Sequence, residues 1–304
     1  MAEFHRVVVG YDGSDFSMQA LDWALDECEL RGLPLTVTHA WRWPYGEAAD
    51  EVKLHLRNAA EHVLYHGADC ARSSSTLTDV KADLYEGSPA ERIVELSVGA
   101  DLVVVGSRGL GALARSVVGS VTAYVAAHAQ APVVIVRGPG PLPVTAHPGP
   151  VVLGLSPTTP DAALQFAFDE AALRRLRLVV VHAVHLQIMA WGVAMAPVPD
   201  VEALTRAGQK RMEERLTPWR DRHAEVHVEG HVVIAPAKEA LRTASSQASL
   251  LIVGAERTRH HGHLGTVVRA MAEHATCPVA VVPGYADRPH EEMKDEEALS
   301  IQER

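Results

Sequence analysis

Glycines are concentrated behind an apolar run in the first half of the chain. The segment 103–120 reads VVVGSRGLGALARSVVGS, and its valine run ends at Gly106. Gly109 and the pair Gly119 and Ser120 follow. Glycine lets a backbone turn tightly without a Cβ in the way, and a helix N-terminus carries unpaired N–H groups with partial positive charge. These residue types favour a loop that binds phosphate.

Charged and hydroxyl side chains accompany this loop. Arg108 and Arg115 could neutralise phosphate oxygens, and Ser120 could add a hydroxyl donor. Asp12, in the earlier loop GYDGSD (10–15), could accept from a ribose hydroxyl or reach a magnesium ion. No lysine follows as in GxxxxGK[ST], so this is not a Walker A loop. The residues favour nucleotide binding. The alternative is a glycine loop that only lets a helix pack on the sheet.

Strand and helix patterns alternate along the first half. Short apolar runs predict buried strands, and amphipathic stretches predict helices, with Ser14 and Ser88 as N-caps. The predicted strands are 7–10, 35–40, 80–85, 102–106 and 133–136, and the predicted helices are 16–31, 46–72, the segment after Ser88, and 116–128. Such alternation indicates a parallel sheet with helices on both faces.

The second half repeats this order. VVVGYDGS at 7–14 returns as VVLGLSPT at 151–158, and DLVVVGSRG returns as SLLIVGAER. The chain is therefore a tandem duplication. The expected parts are a nucleotide-binding module at 1–138, a proline- and glycine-rich linker at 139–150, a degenerate module at 151–284 and an acidic tail at 285–304.

The loops that follow the first and fourth strands hold the special residues. In doubly wound sheets, ligands bind beyond the carboxyl ends of the strands, where the strand order reverses. The orders 2-1-3-4-5 and 3-2-1-4-5 both place the first strand at the reversal, and the second order puts the fourth strand beside it. Assuming that second order, the loops 10–15 and 106–111 open on one crevice.

The spacing Gly106-x2-Gly109-x9-Gly119-Ser120 resembles the G-2x-G-9x-G-[ST] signature of the universal stress protein family, in its ATP-binding branch. VVVGYDGS, THAW and APVVIVRG also resemble that family, at the corresponding places. The resemblance covers nearly the whole chain. It implies an α/β fold with two tandem doubly wound open parallel five-stranded sheets, in the order 3-2-1-4-5, with helices on both faces. It also implies ATP and Mg²⁺ as ligands.

The resemblance also implies residue roles. Gly10 would pass under the nucleotide, Asp12 would meet the ribose or the metal, and the backbone at Ala40 would bind the adenine edge. The residues implied around the phosphates are Gly106, Ser107, Gly109, Gly119, Ser120 and Val121, with Arg108 and Arg115 as additions from the same loop.

The second half departs from this pattern. Ser156 stands where Asp12 stands, and Arg257 replaces the second glycine. The span from Gly254 to Gly265 is two residues shorter than its counterpart. A long side chain on a shortened loop should crowd the phosphates. We expect the second module to keep the fold and to lose or weaken the ligand.

Several histidines are further functional candidates. His260, His261 and His263 lie close in sequence, but adjacent rings seldom point at one ion, so we interpret them as a solvated basic loop, with an anion site as the alternative. His39 and His182 occupy equivalent strand ends and are interpreted as hydrogen-bonded core histidines.

Two tryptophans follow the second strand. Trp41 and Trp43 could wall an adenine site, and the alternative is packing at the sheet edge. Cys28, on an apolar helix, is interpreted as a core residue.

Composition excludes several classes of protein. The net charge of −10 argues against a general binder of nucleic acid or of anionic membranes. Three well-separated cysteines form no disulfide framework, which favours a reducing cytosol. The N-terminus has no signal pattern, and no apolar run is long enough to span a bilayer.

No catalytic constellation is recognisable, since the chain has no G-x-S-x-G elbow and no HExxH. We therefore expect a cytosolic, ATP-binding stress regulator with weak or no hydrolysis. The alternatives are a nucleotide-free interaction scaffold and, more distantly, an adenylating enzyme, because GYDGSD is faintly similar to the SGGxDS loop of ATP pyrophosphatases.

Self-association is a further expectation. The last strand of each module, 133–136 and 279–282, is apolar and lies at a sheet edge. These edges should pair within one chain, and whole chains could dimerise further.

Overall fold

The structure is a computed structural model that describes residues 5–43, 50–76, 79–109, 118–137, 149–185, 200–256 and 264–284. Within these residues, strands and helices alternate. The strands are β1 (Val7–Gly10), β2 (Leu35–Trp41), β3 (Val80–Glu86), β4 (Leu102–Gly106), β5 (Val133–Val136), β6 (Val151–Gly154), β7 (Leu178–Val184), β8 (Val228–Ile234), β9 (Leu250–Glu256) and β10 (Val279–Gly284). The helices are α1 (Asp15–Arg31), α2 (Asp50–Ser74), α3 (Pro89–Leu96), α4 (Ser120–His128), α5 (Asp161–Arg174), α6 (Val201–Arg222), α7 (Ala237–Ser245) and α8 (Thr266–His274).

All strands belong to one ten-stranded sheet in the order β3-β2-β1-β4-β5-β10-β9-β6-β7-β8. Each half has the order 3-2-1-4-5, which the family resemblance implies, and its strands pair in parallel. The halves join where β5 pairs antiparallel with β10. The expected pairing of these two edges within one chain is therefore confirmed, and the two predicted sheets are continuous.

Two apolar layers cover the sheet. One layer holds buried side chains of α1, α2, α5 and α6, and the other holds those of α3, α4, α7 and α8. The strands near the junction are buried on both faces, which explains their unbroken valine-rich runs. Cys28 belongs to the first layer, as predicted.

Local capping sets several helix ends. Ser14 caps α1 by accepting from the Ser17 N–H, and Ser88 caps α3 by accepting from the Glu91 N–H. The prediction that the fourth helix begins at residue 116 is wrong, because Gly119 has extended backbone angles and α4 begins at Ser120. Linker residues 139–148, the acidic tail and the predicted first turn of the second helix lie outside the described residues.

The junction generates a first testable prediction. Val134 and Ala280 are opposite each other on β5 and β10, on the same face of the sheet. Opposite residues of an antiparallel pair have Cα atoms about 4.5–5.5 Å apart, within reach of a disulfide. In a chain whose three native cysteines are alanine, Val134→Cys with Ala280→Cys should form an intramolecular disulfide under oxidation, detectable by non-reducing peptide mapping.

The matched control moves one cysteine along its strand. Val282 lies two residues beyond Ala280, so Val134→Cys with Val282→Cys would place the sulfur-bearing residues on a diagonal of about 7–8 Å. This pair should stay reduced. Equal crosslinking of both pairs, or crosslinks only between chains, would contradict the register.

Candidate functional site

Three loops of the first half meet at the carboxyl edge of the sheet, because β1 lies between β2 and β4. The Tyr11 N–H, just after β1, donates to the Thr38 carbonyl over 2.9 Å. His39 Nδ1 donates to the Tyr11 carbonyl over 2.8 Å, so this histidine is hydrogen-bonded as predicted. Ala40, the next residue of β2, is half-buried beside this edge. Gly10 and Ala40 therefore lie at neighbouring strand ends.

Asp12 connects the first loop to the glycine loop. Its Oδ1 accepts from the Ser14 N–H at 3.0 Å and from the Ser14 hydroxyl at 2.6 Å. On the other side, a Cβ at Gly109 would lie 2.5 Å from Asp12 Oδ2. The carboxylate therefore faces Gly109, and a larger residue at position 109 would displace it. The structure brings these two predicted site residues together.

The glycine loop is anchored to the start of α4. The Thr122 hydroxyl donates to the Gly106 carbonyl over 2.7 Å, and the Gly119 N–H donates to the Ser107 carbonyl over 3.0 Å. A Cβ at Gly119 would make only ordinary contacts, 3.6 Å from the Arg108 Cα. The two ends of the loop are therefore adjacent, although residues 110–117, including the predicted phosphate ligand Arg115, lie outside the described residues.

The N-terminus of α4 is electropositive. Gly119 is its N-cap without a side-chain hydrogen bond, and the first turn has no acidic residue. Ser120 is exposed there, and Val121 is half-buried. Unpaired N–H groups at such a terminus attract anions. The Arg108 guanidinium lies 4.5 Å from the Phe16 ring centroid, so it is held beside α1 at the same edge.

The crevice can therefore interact with both charged and polar parts of a ligand. A phosphate fits the α4 terminus, whereas the Asp12 carboxylate would repel it. A carboxylate there suits a ribose hydroxyl or a cation that also contacts phosphate. The described residues contain no cluster of three or more His, Cys, Asp and Glu side chains that could hold a metal by themselves. Any Mg²⁺ would thus need ligand oxygens besides Asp12.

Tyr11 ties the loop after β1 to α2, a role that the sequence analysis missed. Its hydroxyl and His66 Nδ1 share a hydrogen bond of 2.8 Å, and its ring lies against Gly67 of α2. Burial, aided by neighbouring negative groups including Asp12, raises the pKa of Tyr11 to about 12, so the phenol stays protonated. Thr122 was also missed. The sequence signal for its role was a single threonine among the apolar residues of α4.

In the second half, the loop after β6 forms hydrogen bonds within itself. The Ser156 N–H donates to Thr159 Oγ1 over 2.8 Å, and the two hydroxyls are 3.0 Å apart. Val268 of α8 stands at the position of Thr122, so this module lacks the hydroxyl that anchors the first loop. His182 Nδ1 donates to the Leu155 carbonyl, which repeats the contact of His39.

Some predicted features remain predictions. Arg257 and the three nearby histidines lie outside the described residues. Trp41 is the last residue of β2 and Trp43 follows it, and both are half-buried. The Trp41 carbonyl accepts from the Gly87 N–H.

Comparison with known proteins agrees with the duplicated fold. A family model described as the universal stress protein family matches residues 3–137 and again residues 150–283. The chain belongs to the universal stress protein family. A universal stress protein of Mycolicibacterium smegmatis is 32% identical over 305 residues, which is 91% of this chain and 97% of that protein. One from Mycobacterium tuberculosis is 30% identical over 297 residues, which is 91% of this chain and 96% of that protein.

A solved structure shares the architecture. A universal stress protein from Archaeoglobus fulgidus matches with a TM-score of 0.70 at 17% identity, covering 93% of this chain and 99% of that one. At this identity the likeness concerns the fold. Among the described residues of this universal stress protein, no helix has both the length and the apolar character to cross a membrane.

The anchor at Thr122 generates a second prediction. Thr122→Val keeps the shape of a buried side chain and removes the hydrogen bond to the Gly106 carbonyl. The free energy of unfolding should fall by about 1–2 kcal/mol, as measured by urea denaturation. The control is Thr205→Val on α6, where an exposed hydroxyl donates to the Val201 carbonyl. Equal effects of the two substitutions would contradict the anchoring role.

Proposed function

We propose that this universal stress protein is a cytosolic ATP-binding regulator that binds one nucleotide with Mg²⁺, mainly in its first module, and hydrolyses it weakly or not at all. The observation that carries the proposal is the close approach of Asp12 and Gly109 at the same sheet edge as the α4 N-terminus. Family membership supports it.

The proposed ligand contacts follow the chemistry of each group. Backbone N–H groups at the α4 terminus, with the Ser120 hydroxyl, would hold phosphate oxygens. Asp12 would bind the ribose hydroxyl or Mg²⁺, and its orientation is already fixed by Ser14. The backbone at Ala40 would contact the adenine edge, and Gly10 would leave room under the nucleotide. When bound, Mg²⁺ would neutralise phosphate charge beside the carboxylate.

Weak or absent hydrolysis is proposed from the groups that the described residues place at the crevice. Asp12 is engaged by two donors from Ser14, and His39 donates Nδ1–H to a backbone carbonyl. Neither arrangement resembles a base positioned to activate water. The consequence of binding would then be regulatory, through protein contacts that depend on the nucleotide.

A third prediction concerns the α4 terminus. Gly119→Glu places a carboxylate where phosphate oxygens would lie, and a Cβ at position 119 makes only ordinary van der Waals contacts, so the chain should still fold. Mg-ATP binding, measured by calorimetry, should fall below detection while circular dichroism stays at wild type.

Module two supplies the matched control for this substitution. Gly265 is the N-cap of α8, equivalent to Gly119, and a Cβ there meets nothing within 4 Å. Gly265→Glu should therefore leave ATP affinity unchanged. If Gly119→Glu bound ATP as wild type does, or if both variants lost it, the first-module site would be rejected, and a nucleotide-free scaffold would be favoured.

The fourth prediction concerns stoichiometry and Asp12. Asp12→Asn keeps an oxygen for the Ser14 donors and removes the charge, so the loop should survive. Affinity for Mg-ATP should fall roughly tenfold to a hundredfold, equivalent to about 1–3 kcal/mol. Ser156→Ala at the matching position should change it little. Titration should give one nucleotide per chain, and two equivalent sites would overturn the assignment to module one.

A further inference from the structure

α1 and α5 pack against each other across the junction of the two modules. Glu27 on α1 and Glu170 on α5 are both fully buried. Arg31 binds Glu27 on its own helix and Glu170 on the other. Arg174 binds Glu170 on its own helix at 2.8 Å and Glu27 across the junction. These two carboxylates and two guanidiniums form a closed ring of ion pairs, the junction quartet.

An aromatic ring completes each side of the quartet. The Arg174 guanidinium lies 5.4 Å from the ring centroid of Trp23, and that of Arg31 lies 5.7 Å from the ring centroid of Phe166. Each helix therefore carries one stripe, aromatic-x3-Glu-x3-Arg. Its members are Trp23, Glu27 and Arg31 on α1, and Phe166, Glu170 and Arg174 on α5.

The contacts obey two-fold symmetry. Each arginine contacts both glutamates and the aromatic ring of the opposite helix, and every contact of one stripe has its counterpart in the other. An interface in which identical patches meet is self-complementary. A stripe of this kind fits a second helix that carries the same three residue types at the same spacing.

Burying the four charged groups of the quartet costs desolvation free energy. Burial, together with the Glu27 carboxylate, raises the pKa of Glu170 to about 7, and the two guanidiniums oppose that shift. Replacing buried ion pairs by packed apolar groups is often neutral or stabilising, whereas mismatching one partner is strongly destabilising. The quartet therefore contributes more to the choice of partner than to stability.

We propose that the stripe is a self-complementary recognition surface that pairs each module with a helix carrying a matching stripe. In the native chain, that helix belongs to the other module. When the match within the chain is broken, the surface fits the same helix of a second copy.

Charge swaps in the full-length chain test whether the stripe selects its partner helix. Glu27→Arg with Arg31→Glu reverses the stripe of α1 and conserves composition and net charge. The new arginine then faces Arg174, and the new glutamate faces Glu170. The same swap at Glu170 and Arg174 reverses α5. Combining both swaps restores opposite charges across the junction.

Each single-helix swap should lower the melting temperature by roughly 5 °C or more. Each should also shift the native mass spectrum towards dimers relative to wild type, because reversed stripes still match one another between chains. The combined variant should recover at least about half of the lost melting temperature and return to the wild-type mass distribution.

An exposed pair with the same spacing provides the control. Glu202 and Arg206 on α6 are 3.4 Å apart at i and i+4, with most of both side chains in solvent. Swapping them should leave melting temperature and mass unchanged. A combined junction variant that melts as low as either single-helix swap would overturn the proposal. Single-helix swaps that keep the wild-type melting temperature, or that remain at the wild-type mass, would overturn it as well.

Discussion

The antiparallel pairing of β5 with β10 is the constraint on which the rest of the molecule depends. Each strand is apolar and buried on both faces, so neither can end a sheet in water without exposing unpaired backbone groups. When β5 and β10 pair, the backbone N–H and C=O groups along both inner edges form hydrogen bonds with each other. This pairing also leaves β3 and β8 as the only edges of the sheet among the described residues, and these two strands are partly exposed.

The antiparallel direction of this pairing fixes how the two halves are oriented relative to each other. All strands of the first half run parallel to β5, and those of the second half run parallel to β10, so the carboxyl ends of the two halves lie at opposite edges of the sheet. The two crevices therefore cannot share a ligand. The same two-fold relation brings α1 against α5, which is why Glu27 meets the arginine of the other module.

Much of this architecture could be predicted from the sequence, because the signals are local or repeated. Valine runs indicate buried strands, Ser14 indicates a helix start, and the two copies make one strand order account for both halves. The junction quartet could not be predicted in this way. Glu27 and Arg31 have the same spacing as Glu202 and Arg206, which are exposed, and only contact with a distant helix distinguishes the two pairs. The approach of Gly109 to Asp12 likewise depends on a tertiary contact that spacing alone does not specify.

The proposed nucleotide loop and the junction quartet lie at opposite ends of α1. Asp12 and Ser14 precede the N-terminus of α1, whereas Glu27 and Arg31 lie in its second half. Glu27 lies 12 residues after Asp15, the first residue of α1, which is about 18 Å along the helix, so the loop and the quartet share no side-chain contact. This separation explains how the second module can carry Ser156 in place of a carboxylate while its stripe on α5 stays intact. A mismatched stripe would bury like charges against each other, so α1 and α5 constrain each other's charges whatever residues the loops after β1 and β6 carry.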